Sequence, residues 1–336
     1  MSESQNLLLE SAERVFADLA PGAAVETAWG KIAELGFDGL LVPESSGGFG
    51  GDWADAFAVL RRAGAHATPL PLGEAMAATR LAVDAGFDCG AGILTLASRV
   101  IVESRVRDRF TGRLEAVPWG GDANAVVFDL GGALASAAVA KARVVRGANP
   151  AGEARATLIF EDACVQRGEG AMSALSAGAL VRTAQIAGAL DAALEMSVRH
   201  ANERSQFGKP IGKFQAVQQA LAVFAEEAAA VNCAGQAAAR AADHDGGAFE
   251  IAAAKLRANM AAAVGAAIAH QVHGAIGFTQ EHPLHRLTRR LVAWRSEFGG
   301  ERVWAERLGA EICARGADAL WPFLTARGDA AQKERR

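Results

Sequence analysis

Apolar positions along the chain follow two different periods. Leu7, Leu8, Ala12, Val15 and Phe16 sit at helical spacing, as do Trp29, Ile32, Ala33 and Leu35, so residues 1–88 read as a helical domain. Pro43 and the four glycines from Gly47 to Gly51 interrupt that pattern. A further helix is expected from near Asp52 through Ala63, with Gly64 placed to end it. From 89 to 170 short β-branched runs take over, at 100–102, 125–128, 142–145 and 156–160, separated by glycine, proline and asparagine. They read as a small, shortened antiparallel β domain. From 171 to 327 the helical period returns, with alanine-rich segments over 216–243 and 248–273. Long helices with short breaks read as a four-helix bundle, in which alanine permits close approach. Residues 328–336 read as a solvated tail. The expected fold class is therefore α+β and mostly α, ordered helical, β, helical.

Composition narrows the picture. Half of the 336 residues are hydrophobic (51%), enough for two or three cores. A net charge of −4 argues against a nucleic-acid partner, because phosphate affinity needs a basic face. There is no tyrosine to serve as a proton donor. Cys89, Cys164, Cys233 and Cys313 form no C-x-x-C pair and read as buried small hydrophobes in a reducing, cytoplasmic setting. The first residues carry an acid and no basic run, so no signal peptide is expected. No unbroken apolar run approaches the ~20 residues of a membrane span, so no membrane partner is expected.

The stretch 203–218 carries the chemistry. It sets Arg204, Gln206 and Phe207 on a turn between two helical patterns. An arginine fork matches phosphate oxygens, an amide bonds a sugar or base edge, and an aromatic face stacks on a flat ring. Two H-x-x-H pairs, His270 with His273 and His282 with His285, raise the question of a metal. Pro283 interrupts the second pair and no aspartate supports either, so no metal is expected.

Residues 204–215 resemble the acyl-CoA dehydrogenase signature R-x-Q-F-G-K-x-I-x-x-F-Q. Other segments resemble that family in the same order: 35–50 (P-E-x-x-G-G-x-G), 110–123 (T-G followed by V-P) and 271–284 (Q-x-x-G-G-x-G-F-T-x-E-x-P). The resemblance implies FAD held between the β domain, the bundle and a neighbouring subunit in a dimer or tetramer, homo- or heteromeric. It implies Arg204, Gln206 and Phe207 as contacts to the pyrophosphate and adenine end, and Gln271 and Gly274 as pyrophosphate contacts from the partner chain. Ala275 stands where the family has a second glycine. Thr95 matches the family's flavin-lining L-T-E-P, although the acid and the proline are absent.

The implied reaction oxidises an acyl-CoA thioester at Cα–Cβ. A carboxylate takes the α-proton and flavin N5 accepts the β-hydride, with an electron-transfer flavoprotein as acceptor. Fatty-acyl and sterol side-chain thioesters both stand as substrates. Glu297, in the loop after the last R-x-x-R-like helix, is the candidate base. The usual family spacing from Gly277 falls one residue later, on Phe298. A single-residue deletion and an absent base both account for this. Arg182 is a possible substrate-facing residue, and Arg286, Arg289 and Arg290 form a basic face. Two other readings accompany the catalytic one: a non-catalytic partner subunit of a heteromeric enzyme, and a flavin monooxygenase or oxidase on the same scaffold.

Overall fold

The computed structural model describes residues 3–19 and 25–333. Helices α1 (Glu3–Asp18), α2 (Val25–Glu34), α3 (Trp53–Ala65) and α4 (Leu72–Asp84) come first. The helical spacing holds where it matters: Ala12, Phe16 and Ile32 are buried. Helix α3 starts as expected, because the Asp52 side chain accepts the Asp55 amide.

Gly64 does not end α3; the helix runs through it to Ala65. Its role is contact. A Cβ on Gly64 would lie 2.1 Å from the Gln185 carbonyl oxygen, and one on Gly188 would lie 1.7 Å from that of Arg61. The two glycines let α3 and α5 (Ala174–Glu203) cross backbone to backbone.

Strands β1 (Leu94–Ala97), β4 (Ala125–Leu130), β5 (Ala133–Ala138) and β8 (Gln166–Gly168) form one sheet in the order β1-β4-β5-β8. Strands β2 (Arg99–Val106), β3 (Arg109–Pro118), β7 (Ala154–Cys164) and β6 (Ala142–Ala148) form a second, in the order β2-β3-β7-β6. The pairings are antiparallel except β1 on β4, which is parallel. The two sheets share one apolar core, where the Phe110 ring lies 5.5 Å from Phe128 and 5.9 Å from Phe160.

Two carboxylates tie the parts together at helix N-termini, where unpaired amides and the helix dipole favour negative charge. Asp129 on β4 accepts the Ala174 and Leu175 amides of α5 at 3.0 and 3.1 Å. Asp243 accepts the Trp53 amide of α3 at 3.0 Å. The bundle consists of α5, α6 (Gln215–Asp245), α7 (Ala248–His273) and α8 (Leu284–Ser296), and a hairpin of β9 (Ser205–Gln206) and β10 (Lys209–Pro210) joins α5 to α6. Helices α9 (Glu301–Arg315) and α10 (Leu320–Lys333) follow. Thus α10 enters the stretch expected as a tail, and residues 334–336 lie outside the described residues.

One expectation changes. Cys164, Cys233 and Cys313 are exposed and Cys89 is half-buried, because three of them fall on outer helix or strand faces. The stretch Ala248–Phe278 is long and apolar enough to cross a membrane on length and composition alone, and more than half of its most apolar window is buried inside this fold.

Candidate functional site

Helix α5 ends at Glu203, where the Arg204 amide donates to the His200 carbonyl at 2.9 Å. The hairpin then turns on two left-handed residues, Phe207 (φ 51°) and Gly208 (φ 78°). That turn throws the Phe207 ring outward, 92% exposed and edge-on to Phe214 at 6.2 Å. The Lys209 ammonium lies 4.4 Å from the Phe214 ring centre. Opposite, α7 stops at His273 because Gly274 takes φ 62° and ψ −142°, a conformation open to glycine.

Between these two helix ends runs a cleft of about 490 Å³ lined by Arg204, Gln206, Phe207, Gln271 and Gly274, with His200 and His273 in its wall. Five of the six residues expected to contact a cofactor therefore line one cleft of a single chain, Gln271 and Gly274 included, although these two were expected to reach the cofactor from the partner chain. Its groups are an exposed ring, an arginine with no ion pair among the described residues, and two exposed amide side chains. That set suits a flat heterocycle joined to an anion.

Thr95 is the exception. It is fully buried on β1, and its hydroxyl donates to the Pro118 carbonyl at 2.5 Å. No atom of Thr95 is open to a ligand, since the strand pairing turns it into the space between the sheets and commits its hydroxyl there.

Glu297 lies elsewhere, on a second cleft of about 500 Å³ between the β domain and the loop after α8. It ends α8 with extended backbone, and its side chain, 13% exposed, turns inward. Oε1 accepts from Asn149 Nδ2 at 3.0 Å and Arg155 Nε at 2.9 Å. Oε2 accepts from Arg155 Nη2 and Arg182 Nε, both at 2.8 Å. A carboxylate offers about four acceptor sites, and four donors take them. Burial alone would raise the pKa of Glu297; the charges of Arg182 and Arg155 and the Asn149 bond outweigh it and hold the group below the usual carboxylate value. This differs from the expected base, which needs a free lone pair and a raised pKa.

The ion pairs continue in both directions. Arg182, 1% exposed, also bonds Glu74 on α4, and the negative charges of Glu74, Glu297 and Glu153 raise its pKa against the effect of burial. Arg155 contacts Glu153 at 3.1 Å, and Glu153 accepts from Arg290 Nε at 3.0 Å and Trp294 Nε1 at 2.9 Å. Three acids and three arginines thus balance across α4, α5, the start of β7 and α8 with its following loop. Arg182 consequently faces carboxylates, not an open substrate pocket. The supposed basic face divides as well: Arg290 is buried, Arg289 donates to the Pro150 carbonyl at 2.9 Å, and Arg286 is exposed. Sequence reasoning missed Glu74, Glu153 and Arg155. One signal was present, a lone arginine at 182 in an apolar helical run, which demands a buried counter-ion.

The loop that carries Glu297 is tied from several sides. Lys255 on α7, fully buried, donates to the carbonyls of Trp294 (3.2 Å), Gly299 (3.3 Å) and Arg295 (3.4 Å) and to Asn259. Burial, then the charge of Arg182, lowers Lys255 to about 7, with Glu297 and Glu301 opposing. Phe298 sits at φ 50° with its ring against Gly178, where a Cβ would come within 2.1 Å.

One ring nitrogen each of His270, His273 and His285 turns to its own surroundings. His270 Nε2 meets Thr288 Oγ1 at 2.9 Å, and Nδ1 of His273 and of His285 each lie 2.8 Å from a carbonyl, of Ala269 and His282. Among the described residues no group of three or more His, Cys, Asp or Glu side chains is arranged to hold a metal ion.

The model of the acyl-CoA dehydrogenase C-terminal domain matches residues 167–312. Acyl-CoA dehydrogenase IpdE2 of Mycobacterium tuberculosis is 29% identical over 326 residues, covering 92% of this chain and 98% of its own length. Acyl-CoA dehydrogenase FadE34 of the same organism is 31% identical over 306 residues, 83% of this chain and 41% of its own. Among solved structures, the ChsE4-ChsE5 complex of M. tuberculosis aligns with a TM-score of 0.82 and 24% identity, over 93% of this chain and 98% of that one. Butyryl-CoA dehydrogenase of Megasphaera elsdenii aligns at 0.80 and 19%, over 93% and 99%.

Proposed function

The chain belongs to the acyl-CoA dehydrogenase family, and from that premise we propose that it is a flavin-binding partner subunit of an FAD-dependent acyl-CoA dehydrogenase whose catalytic carboxylate comes from another chain. The observation that carries this reading is the saturation of Glu297. An α-proton beside a thioester is weakly acidic, so its removal needs a carboxylate with an open lone pair and a raised pKa. Glu297 has neither.

The residues of the first cleft fit FAD. Arg204 lacks an ion pair among the described residues, Phe207 is 92% exposed, and His273 Nε2 is buried without a hydrogen-bond partner. Arg204 would pair with the diphosphate, Phe207 and Phe214 would flank the adenine, and Gln206 and Gln271 would bond polar edges. When bound, FAD supplies the hydride acceptor for Cα–Cβ oxidation, and an electron-transfer flavoprotein is the class of protein that would carry the electrons on. A second chain is supported further by Met260, Val264 and Val292, exposed on the adjoining helices α7 and α8. One structural neighbour, ChsE4-ChsE5, is a complex of two proteins, in keeping with a heteromer.

A second reading keeps Glu297 as the base, favoured by its place on the wall of the second cleft in the loop after α8. One experiment separates the two. The chain is purified alone and with its co-expressed neighbour, and acyl-CoA oxidation is followed with a dye acceptor. Glu297→Gln in the assembled enzyme should keep both flavin and turnover. Retained flavin with turnover abolished would make Glu297 the base.

A further inference from the structure

The wall of the first cleft contains a histidine cluster, of which the proposed reading uses only the unpartnered Nε2 of His273. His200, in the last turn of α5, and His273, the last residue of α7, stack at 4.6 Å between ring centres and 21° between planes. The His282 ring lies 4.8 Å from that of His273, tilted by 59°. His200 and His273 line the cleft beside Arg204.

The tautomer of His273 follows from its neighbour. Its Nδ1 lies 2.8 Å from the Ala269 carbonyl, which only accepts, so Nδ1 carries the hydrogen and Nε2 the lone pair. Nε2 is buried with no partner, in a residue only 5% exposed. A buried polar atom without a partner is costly and calls for an explanation. Protonation of the stacked pair would put a positive charge into the wall of the cleft beside Arg204, and an anion seated there stabilises that charge.

We propose that His200 and His273 form a proton-linked wall of a diphosphate site in this cleft, neutral in the absence of the diphosphate and taking up a proton when it is seated. The inference rests on the reading of the cleft as a dinucleotide site. The charges around the pair agree with it. His200 faces His282, Arg204 and Glu203. His273 faces His200, His282 and His270, and His282 faces His285 and Arg199. Glu203 is the lone acid in that set. Burial first, with the neighbouring histidines and arginines adding to it, holds His200, His273 and His282 below the usual histidine value, against the opposing Ala269 hydrogen bond at His273 and Glu203 at His200. A diphosphate reverses the sign of the local field and raises them. Binding then takes up protons between the lowered value of the free protein and the raised value of the complex, and affinity grows as pH falls through that window, by up to about tenfold per pH unit for each proton linked.

Calorimetric titration of the purified protein, with any co-purifying chain, by FAD at pH 6, 7 and 8 in two buffers of different ionisation enthalpy tests this. The diphosphate diester of FAD stays ionised throughout, so a proton taken up is the protein's. We expect net proton uptake and tighter binding at pH 6 than at pH 8. His273→Gln and His200→Gln should flatten the slope, while Arg204→Ala should weaken binding at every pH and leave the slope in place. FAD binding without proton uptake, or uptake untouched by both histidine variants together, overturns the inference alone. No FAD binding at any pH overturns the dinucleotide reading and the inference with it.

Discussion

Arg182 Nε meets Glu297 Oε2 at 2.8 Å, joining the buried first half of α5 to the loop that follows α8. The same guanidinium reaches Glu74 and lies 5.5 Å from the Phe298 ring centre. Through this one side chain, α4, α5 and the 297–300 loop are held in fixed relation.

Removing that cation should be severe. Arg182→Met leaves Glu74 and Glu297 buried without their shared partner, and breaking a buried pair on one side typically costs about 3–5 kcal/mol. Urea unfolding followed by tryptophan fluorescence would measure it. The reverse loss, Glu297→Gln, should also blunt acid sensitivity. The pKa of Glu297 is lower folded than unfolded, so its stabilisation is present above the ordinary value of 4.5 and is lost as pH falls through the lower folded value. The stability profile of the variant should be flatter there.

Gly188→Ala should destabilise the α3–α5 crossing. The added Cβ would stand 1.7 Å from the Arg61 carbonyl oxygen, and backbone cannot rotate away as a side chain can. Overpacking of this kind costs about 1–3 kcal/mol or more. A thermal midpoint unchanged within error would show that the helices separate freely.

Lys255 should make stability rise with pH. Its pKa is about 7 in the folded chain against an ordinary 10.5, so the unfolded state holds more protons between those values. Across that window the Lys255 contribution favours folding more as pH increases, and below it the contribution is constant. Lys255→Met should remove this slope, read from urea midpoints at pH 6, 7, 8 and 9. Equal slopes in the two proteins would place the titration on another group.

Arg204→Ala should weaken flavin retention by about tenfold or more, the scale of a charge-assisted bond to phosphate. The ratio of flavin to protein absorbance after dialysis would report it, in low and high salt. Because Arg204 is exposed, the wild-type ratio should itself fall with ionic strength.

Much of this protein was determined by local sequence. The helical, β, helical order follows from a change of apolar period, which depends on neighbours three or four residues away. The first cleft was legible for the same reason: Arg204, Gln206 and Phe207 occupy one tight turn, and Gln271 and Gly274 one helix end. What tertiary structure alone decided is how distant residues pair. Glu297 has the sequence setting of a base, yet its partners Arg155, Arg182 and Asn149 lie 115 to 148 positions away. Thr95 keeps its family letter but gives its hydroxyl to Pro118, which only the packing of one sheet on the other places beside it. Gly64 reads as a helix end until Gln185 arrives against it. Periodicity reports which face of an element is buried; it carries no record of which charge or carbonyl will wait on the other side, and in a buried setting that neighbour decides what the residue does.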